Sequence, residues 1–373
     1  MTMNRLLFAV LLGLSLPAIT HAQVSPEERR IESPNVPGYL TLKCDLHLHT
    51  VFSDGHVWPT IRVEEALRDG LDAIAMTDHL EYQPHQDDIP HPDRNRSYQI
   101  ALESAGERGL IVLNGSEVTR DMPPGHSNAI FVQDANRLLL DDPLAVFREA
   151  KRQGAFVFWN HPNWIAQRAD GVATVTEMHR QLIAEGLLDG IEVVNEFTYS
   201  EEALAIALEH GLAIIGTSDI HGLVDWEYEV PEGGHRPVTL VFARERSAVG
   251  IQEALEARRT AVWHDNLLIG TAENVVPLIE ASLVVTGARY LEETSVLRVS
   301  IENRSDVEYL LANRTAYSFH AAADVVTIAP HDTTQFEVKA LDAPASVSLR
   351  FEVLNAVTGP RTHPEFVLEA VAR

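Results

Sequence analysis

Cysteine is nearly absent. Cys44 is the only one in 373 residues, so no disulfide can form within the chain. Strand parity turns Cys44 away from His47 and His49, which suits a buried spectator thiol. Basic residues are also scarce: 29 Lys and Arg stand against 54 Asp and Glu, for a formal net charge of -25. Such a surface repels polyanions, which argues against nucleic acid or an anionic membrane as partner. Long apolar runs are missing after the first residues. Leu6 to Leu16 is too short to span a bilayer. It follows Arg5 and precedes Thr20-His21-Ala22, a small-residue cleavage site. Residues 1–22 therefore read as a secretory signal peptide, followed by an N-terminal extension over 23–38. No cysteine adjoins the cleavage site to carry a lipid. These absences predict an exported, periplasmic protein with no membrane partner.

What is present is alternation. Over residues 39–274 apolar strands and amphipathic helices follow one another. Tyr39–His47 reads as a strand and Pro59–Asp69 as a helix, with Pro59 in its first turn and Gly70 past its end. Further strands are expected at Leu71–Thr77, Leu110–Glu117, Ala129–Val132, Ala155–Trp159, Gly190–Val194, Ala213–Thr217 and Pro237–Phe242. The stretch EYQPHQDDIPHPDRNRS has no apolar period and reads as a long loop. About seven strand–helix units, one short of the usual eight, imply a parallel sheet closed into a barrel or wound flat. After about residue 275 the period becomes two. Leu297, Val299 and Ile301 alternate with Arg298, Ser300 and Glu302. Residues 275–373 therefore read as a small antiparallel β-sandwich. Packing against the barrel or forming a homo-oligomer contact is its expected role.

The strand ends carry the chemistry. The first ends in His47 and His49, with Asp54 in the Ser-Asp-Gly turn beyond. The second ends in Thr77-Asp78-His79 and the third in Gly115-Ser116-Glu117. His126 precedes the short extra strand, His161 follows the fourth, and Asp219 and His221 follow the sixth. Each motif alone is weak, because a lone His is more often a hydrogen-bonding residue and Asp-Gly is usually only a turn. Together they gather imidazoles and carboxylates on the barrel face where active sites are built. Buried without a cation, such groups would repel one another or remain unpaired. The two imidazoles of HLH and Asp54 are therefore candidate metal ligands.

HLHTVFSDG, TDH, GSEVT, GHSN, NHP and SDIH resemble, in order, the ligand motifs of the polymerase and histidinol phosphatase (PHP) family over residues 40–265. The resemblance implies a distorted (β/α)7 barrel that hydrolyses phosphate esters with two or three divalent cations. It implies that His47, His49, Glu117 and Asp219 hold one cation, and that Glu117 bridges to a second held by His126 and His161. Asp54, His79 and His221 would form the third position. The signal peptide, VWPTIRVEEA, the long loop, FVFWNHP and the C-terminal β-domain resemble an exported branch acting on small organophosphate diesters.

Physical chemistry supports the same reaction. Carboxylate-bridged cations lower the pKa of bound water, supply hydroxide at neutral pH and neutralise phosphoryl oxygens. Ligands of nitrogen and oxygen without thiolate suit Zn, Mn or Fe. Glu117, Asp219, His79 and His221 are the candidate catalytic residues. Arg120 could hold a phosphate oxygen or pair with Asp121 on the surface. Arg94 and Arg96 in the long loop are weaker candidates for the same role. Trp164 and Tyr82 could line an apolar pocket, whereas Trp159, within a strand, reads as packing. Three other readings compete. One is a phosphomonoesterase of histidinol-phosphatase type. A metal-dependent amidohydrolase also begins with HxH, but usually uses Lys or Glu after its fourth strand, where this chain has His161. An exported metal-binding protein would carry repetitive, local ligands rather than scattered ones.

Overall fold

The computed structural model describes residues 29–373. The expected signal peptide and residues 23–28 lie outside them. The strands of the first part are β1 (Leu40–Asp45), β2 (Ala73–Met76), β3 (Ile111–Val118), β4 (Ser127–Ile130), β5 (Phe156–Trp159), β6 (Gly190–Asn195), β7 (Thr198–Tyr199), β8 (Ala213–Thr217), β9 (Val238–Ala243), β10 (Thr260–His264) and β11 (Leu267–Gly270). They form one curled mixed sheet in the order β11-β10-β9-β1-β2-β3-β4-β5-β6-β7, with β8 also paired to β6. The alternation read from the sequence implied parallel strands. β1, β2 and β3 are parallel, as are β5, β6 and β8. β4, however, runs antiparallel to both neighbours, and β9 runs antiparallel to β1. For β4 the reason is local: residues 119–126 are too few for a crossover helix.

The curl closes at one point. Pairing between β1 and β9 stops at Cys44 and Thr239. Beyond it Leu48 bridges Ile220, just past β8, and His49 N–H donates to the Ile220 carbonyl at 3.1 Å. The result is the distorted barrel that the motifs implied. Its interior is one buried cluster drawn from strands all around the sheet, including Leu42, Leu46, Ala75, Leu113, Phe156, Phe158, Ile215 and Val241. Each large apolar side chain there contributes roughly 1.5–3 kcal/mol by leaving water. Cys44 belongs to this cluster, and burial pushes its thiol up.

A helix, Ala272–Ser282, leads out of the barrel. The expected boundary at 274/275 falls inside it. Two four-stranded antiparallel sheets follow. One holds Leu283–Tyr290, Val296–Asn303, Thr333–Lys339 and Phe319–His320. The other holds Val325–Ile328, Tyr309–Asn313, Ser346–Val353 and Glu365–Val371. The period-two pattern decides which face is inside: Leu297, Val299 and Ile301 are buried, as are Val347, Leu349, Phe351 and Val353. The sandwich is also sewn to the barrel. Ala356–Val357 adds a parallel pairing to β11, and Asn355 Nδ2 donates to the carbonyls of Asn266 and Glu308 at 2.8 and 2.6 Å. Among the described residues no helix is long and apolar enough to cross a membrane.

Candidate metal centre

All nine expected ligands meet at one mouth of the barrel, because each lies at or just beyond one end of its strand. Three overlapping groups result. His47 Nε2, His49 Nε2 and Asp219 Oδ1 lie 3.0, 3.1 and 2.9 Å apart. Glu117 stands beside them, with Oε1 3.5 Å from His47 Nε2 and Oε2 3.7 Å from His49 Nε2. In the second group Glu117 Oε1 is 3.1 Å from His126 Nδ1 and 3.2 Å from His161 Nε2. In the third, Asp54 lies between His79 and His221, 3.3 Å from Nε2 of each, and 3.5 Å from His49 Nδ1. His79 also reaches the second group: its Nδ1 is 2.6 Å from Glu117 Oε2. Two ligands about 2.0–2.2 Å from one ion in a tetrahedral shell are ~3.3–3.6 Å apart. The mouth has the spacing of shared coordination.

The hydrogen bonds test whether cations fit. His47 Nδ1 lies 2.8 Å from Glu192 Oε1; with the ring proton on Nδ1, the Nε2 lone pair faces the first group. Burial opposes a second proton on this ring, but Asp219, Glu192 and Glu117 outweigh burial and push the metal-free imidazole well up. Asp219 Oδ1 and Glu117 Oε2 are buried and face only ring nitrogens, His49 Nε2 at 2.9 Å and His79 Nδ1 at 2.6 Å. Lone pairs and carboxylate oxygens crowded like this are costly unless a cation joins them. The residues therefore fit divalent ions held by nitrogen and oxygen.

Protons compete for the same atoms. Burial opposes a proton on His79, but Glu117 and Asp54 outweigh burial and push it up to about 10. Asp54 and Asp219 similarly raise His221 to about 9, against burial. Burial, with His221 and His79 close by, lowers His49 to about 4. Burial raises Glu117 and Asp219, yet the surrounding imidazoles win and hold both carboxyls well below the usual carboxylate range.

Four supporting residues were not read from the sequence. Glu192, buried within β6, accepts from His47, from Thr217 Oγ1 at 2.6 Å and from His161 N–H at 2.7 Å. Its signal was a single charge inside the apolar run Gly-Ile-Glu-Val-Val. Asp78 accepts from Thr50 and Ser53 and so sets the turn that carries Asp54. Asn160 Nδ2 donates to Glu117 Oε1 at 2.8 Å, and Asn195 Nδ2 donates to Asp219 Oδ2 at 3.1 Å. The backbone is strained at two candidate ligands: His161 and Asp219 have φ of 27° and 48°. Such left-handed conformations cost about 1–3 kcal/mol each and cluster at functional sites.

The expected cationic and aromatic residues divide. Arg120 does not reach the cluster. Its Nη2 pairs with Glu81 at 2.9 Å, and its guanidinium donates to the carbonyls of Leu140 and Asp141. Arg94 is spent on the carbonyls of Leu80 and His91, and Arg96 reaches Gln99. Trp159 is buried and stacked on His179, as a packing residue. Trp164 and Tyr82 flank the ligands: Trp164 lies 5.2 Å from the His161 ring and Tyr82 lies 5.7 Å from His79. They remain 45% and 51% exposed, which leaves surface for a ligand.

Comparison with known proteins fits this geometry. The chain is similar to a crystal structure of a two-domain protein from Bacteroides vulgatus that contains a predicted PHP-like metal-dependent phosphoesterase. Identity is 41% over 91% of this chain and 98% of that one, with a TM-score of 0.85. The chain belongs to the PHP-like metal-dependent phosphoesterase family. Residues 283–369 match a family model described as an Ig-like domain, DUF5001. A proposed metal-dependent phosphoesterase from Bifidobacterium adolescentis shares 22% identity over 48% of this chain and 88% of that one, at a TM-score of 0.38. An amidohydrolase from Chromobacterium violaceum shares 18% over 59% and 97%, at 0.36. Both superpose too loosely to carry an argument. No curated protein matches the chain.

Proposed function

We propose that the protein hydrolyses small organic phosphodiesters, with two or three divalent cations held at this centre. The observation that carries the reading is the convergence of three candidate ligand groups on Glu117 and its neighbours. Bound cations supply Lewis acidity and a water of lowered pKa. The chain's residues do the rest. Glu117 touches ligands of all three groups and holds them in one frame. Asp219 completes the first position, and Glu192 fixes the ring of His47. Asp54, His79 and His221 form the third position, and Trp164 and Tyr82 offer apolar surface to ester substituents.

Two observations favour diesters. Arg120, Arg94 and Arg62 are all committed to protein acceptors, so they offer no guanidinium to a second phosphate charge. The exposed aromatics can meet substituents on the phosphate. The expected export places this chemistry outside the cytoplasm, on small molecules rather than nucleic acid. The test is a substrate panel: an aryl phosphodiester, the matching monoester and an amide, with bound metal measured in the same sample. Higher kcat/KM on the diester, about tenfold or ~1.4 kcal/mol, is expected. A monoester preference across several alcohols would shift the reading to a phosphomonoesterase, and an amide preference to an amidohydrolase. Metal without turnover on any substrate would leave an exported metal-binding protein.

A further inference from the structure

We infer that Arg62 is the positioning residue that assembles the cation positions shared by the loops after β1 and β8. The inference rests on the metal-dependent reading of the mouth, and its readout is metal content, not turnover. Arg62 sits on the helix Pro59–Arg68 and is fully buried. A guanidinium has five N–H groups in a planar fork. Here Nε donates to the His49 carbonyl at 2.9 Å. Nη1 donates to Glu65 Oε2 at 2.8 Å and to the Gly222 carbonyl at 2.7 Å. Nη2 donates to the carbonyls of Ile220 and His221 at 3.0 and 2.9 Å. Glu65 in turn accepts from Val224 N–H at 2.9 Å.

These acceptors are not scattered. The His49 carbonyl belongs to the loop that carries His49 and Asp54. Those of Ile220, His221 and Gly222 belong to the loop that carries Asp219 and His221. Between these loops the sheet offers only the bridge at Leu48 and Ile220 and a hydrogen bond from His56 N–H to the His221 carbonyl. Arg62 takes the place of the missing ladder. It holds together the two loops that must meet for His47, His49 and Asp219 to share one ion, and for Asp54, His79 and His221 to share another. Glu117, His126 and His161 come from other strands and do not depend on it.

Lysine keeps the charge but has three donors on a flexible stem and no planar fork. The test is metal binding by Arg62→Lys, with Val63→Ala as control. Val63 is buried on the same helix and touches no ligand loop hydrogen bond. At equal thermal destabilisation, Arg62→Lys should bind fewer equivalents than wild type, or bind the last equivalent roughly 10–100-fold more weakly. It should keep the Glu117–His126–His161 position, and Val63→Ala should keep the full complement. If Arg62→Lys does not fold, Glu65→Gln serves: it retains the carbonyl contacts, frees one N–H and should weaken the last equivalent alone. Full metal content with wild-type affinity in the variant that folds would overturn the inference. So would equal loss in Val63→Ala. A wild-type protein that binds no cation would remove the functional reading itself, whereas loss of turnover on every substrate with metal binding intact would leave this inference standing.

Discussion

At the scale of single residues the centre turns on Glu117. It is buried and lies within 3.7 Å of five candidate-ligand imidazoles. Gln keeps its shape and removes its charge. Glu117→Gln should therefore lose bound metal and nearly all phosphoesterase turnover while far-ultraviolet circular dichroism stays native. Wild-type metal content with wild-type turnover would refute the bridging role. The raised imidazoles give a second expectation. His79 and His221 lie at about 10 and 9 in the metal-free protein, so both carry a proton at pH 8. Each must release it to ligate. Calorimetric titration of metal at pH 8 in buffers of different ionisation enthalpy should show net proton release, and none would contradict the assignment. The residues that meet at the mouth were legible because HxH at a strand end, TDH and NHP are local patterns. Glu192 and Arg62 were not, because their partners lie 145 and up to 160 residues away.

At the scale of elements, buried charge locks the barrel beneath its mouth. Arg236, just before β9, pairs with Asp45 at the end of β1 at 3.1 Å and with Asp69 beyond the first helix at 2.7 Å. Asp45 also accepts from Ser218 Oγ, next to the candidate ligand Asp219, at 2.5 Å. Removing one partner of such a buried set leaves charges unpaired. Arg236→Met should destabilise the fold by about 3–5 kcal/mol, measured by denaturant unfolding at fixed metal load. A loss below about 1 kcal/mol, the range of exposed pairs, would show that the network is not structural. Apolar runs located the strands well, since Ala213–Thr217 falls where the pattern puts it, and the helix expected at Pro59–Asp69 spans Pro59–Arg68. Strand direction was less legible. It depends on the length of a connection, as at β4, or on which distant edge is free, as at β9.

For the whole molecule, the barrel and sandwich share a core. Val275, Leu278 and Ile279 of the linking helix pack in one cluster with barrel residues such as Leu240 and sandwich residues such as Leu297, Tyr309 and Val353. Period two announced the sandwich; the β11 pairing with Ala356–Val357 could not be read, because two residues carry no period. The net charge of -25 disfavours contact with polyanions. The claim that unites these scales is that cations held by this mouth hydrolyse phosphodiesters. Its most direct test is to strip the protein with chelator, add back Mn or Zn, and follow bound metal and aryl phosphodiester turnover in the same samples. The expected result is no turnover in the stripped protein and a rise that completes at two or three bound equivalents. Full turnover in protein shown to hold no cation would contradict the account.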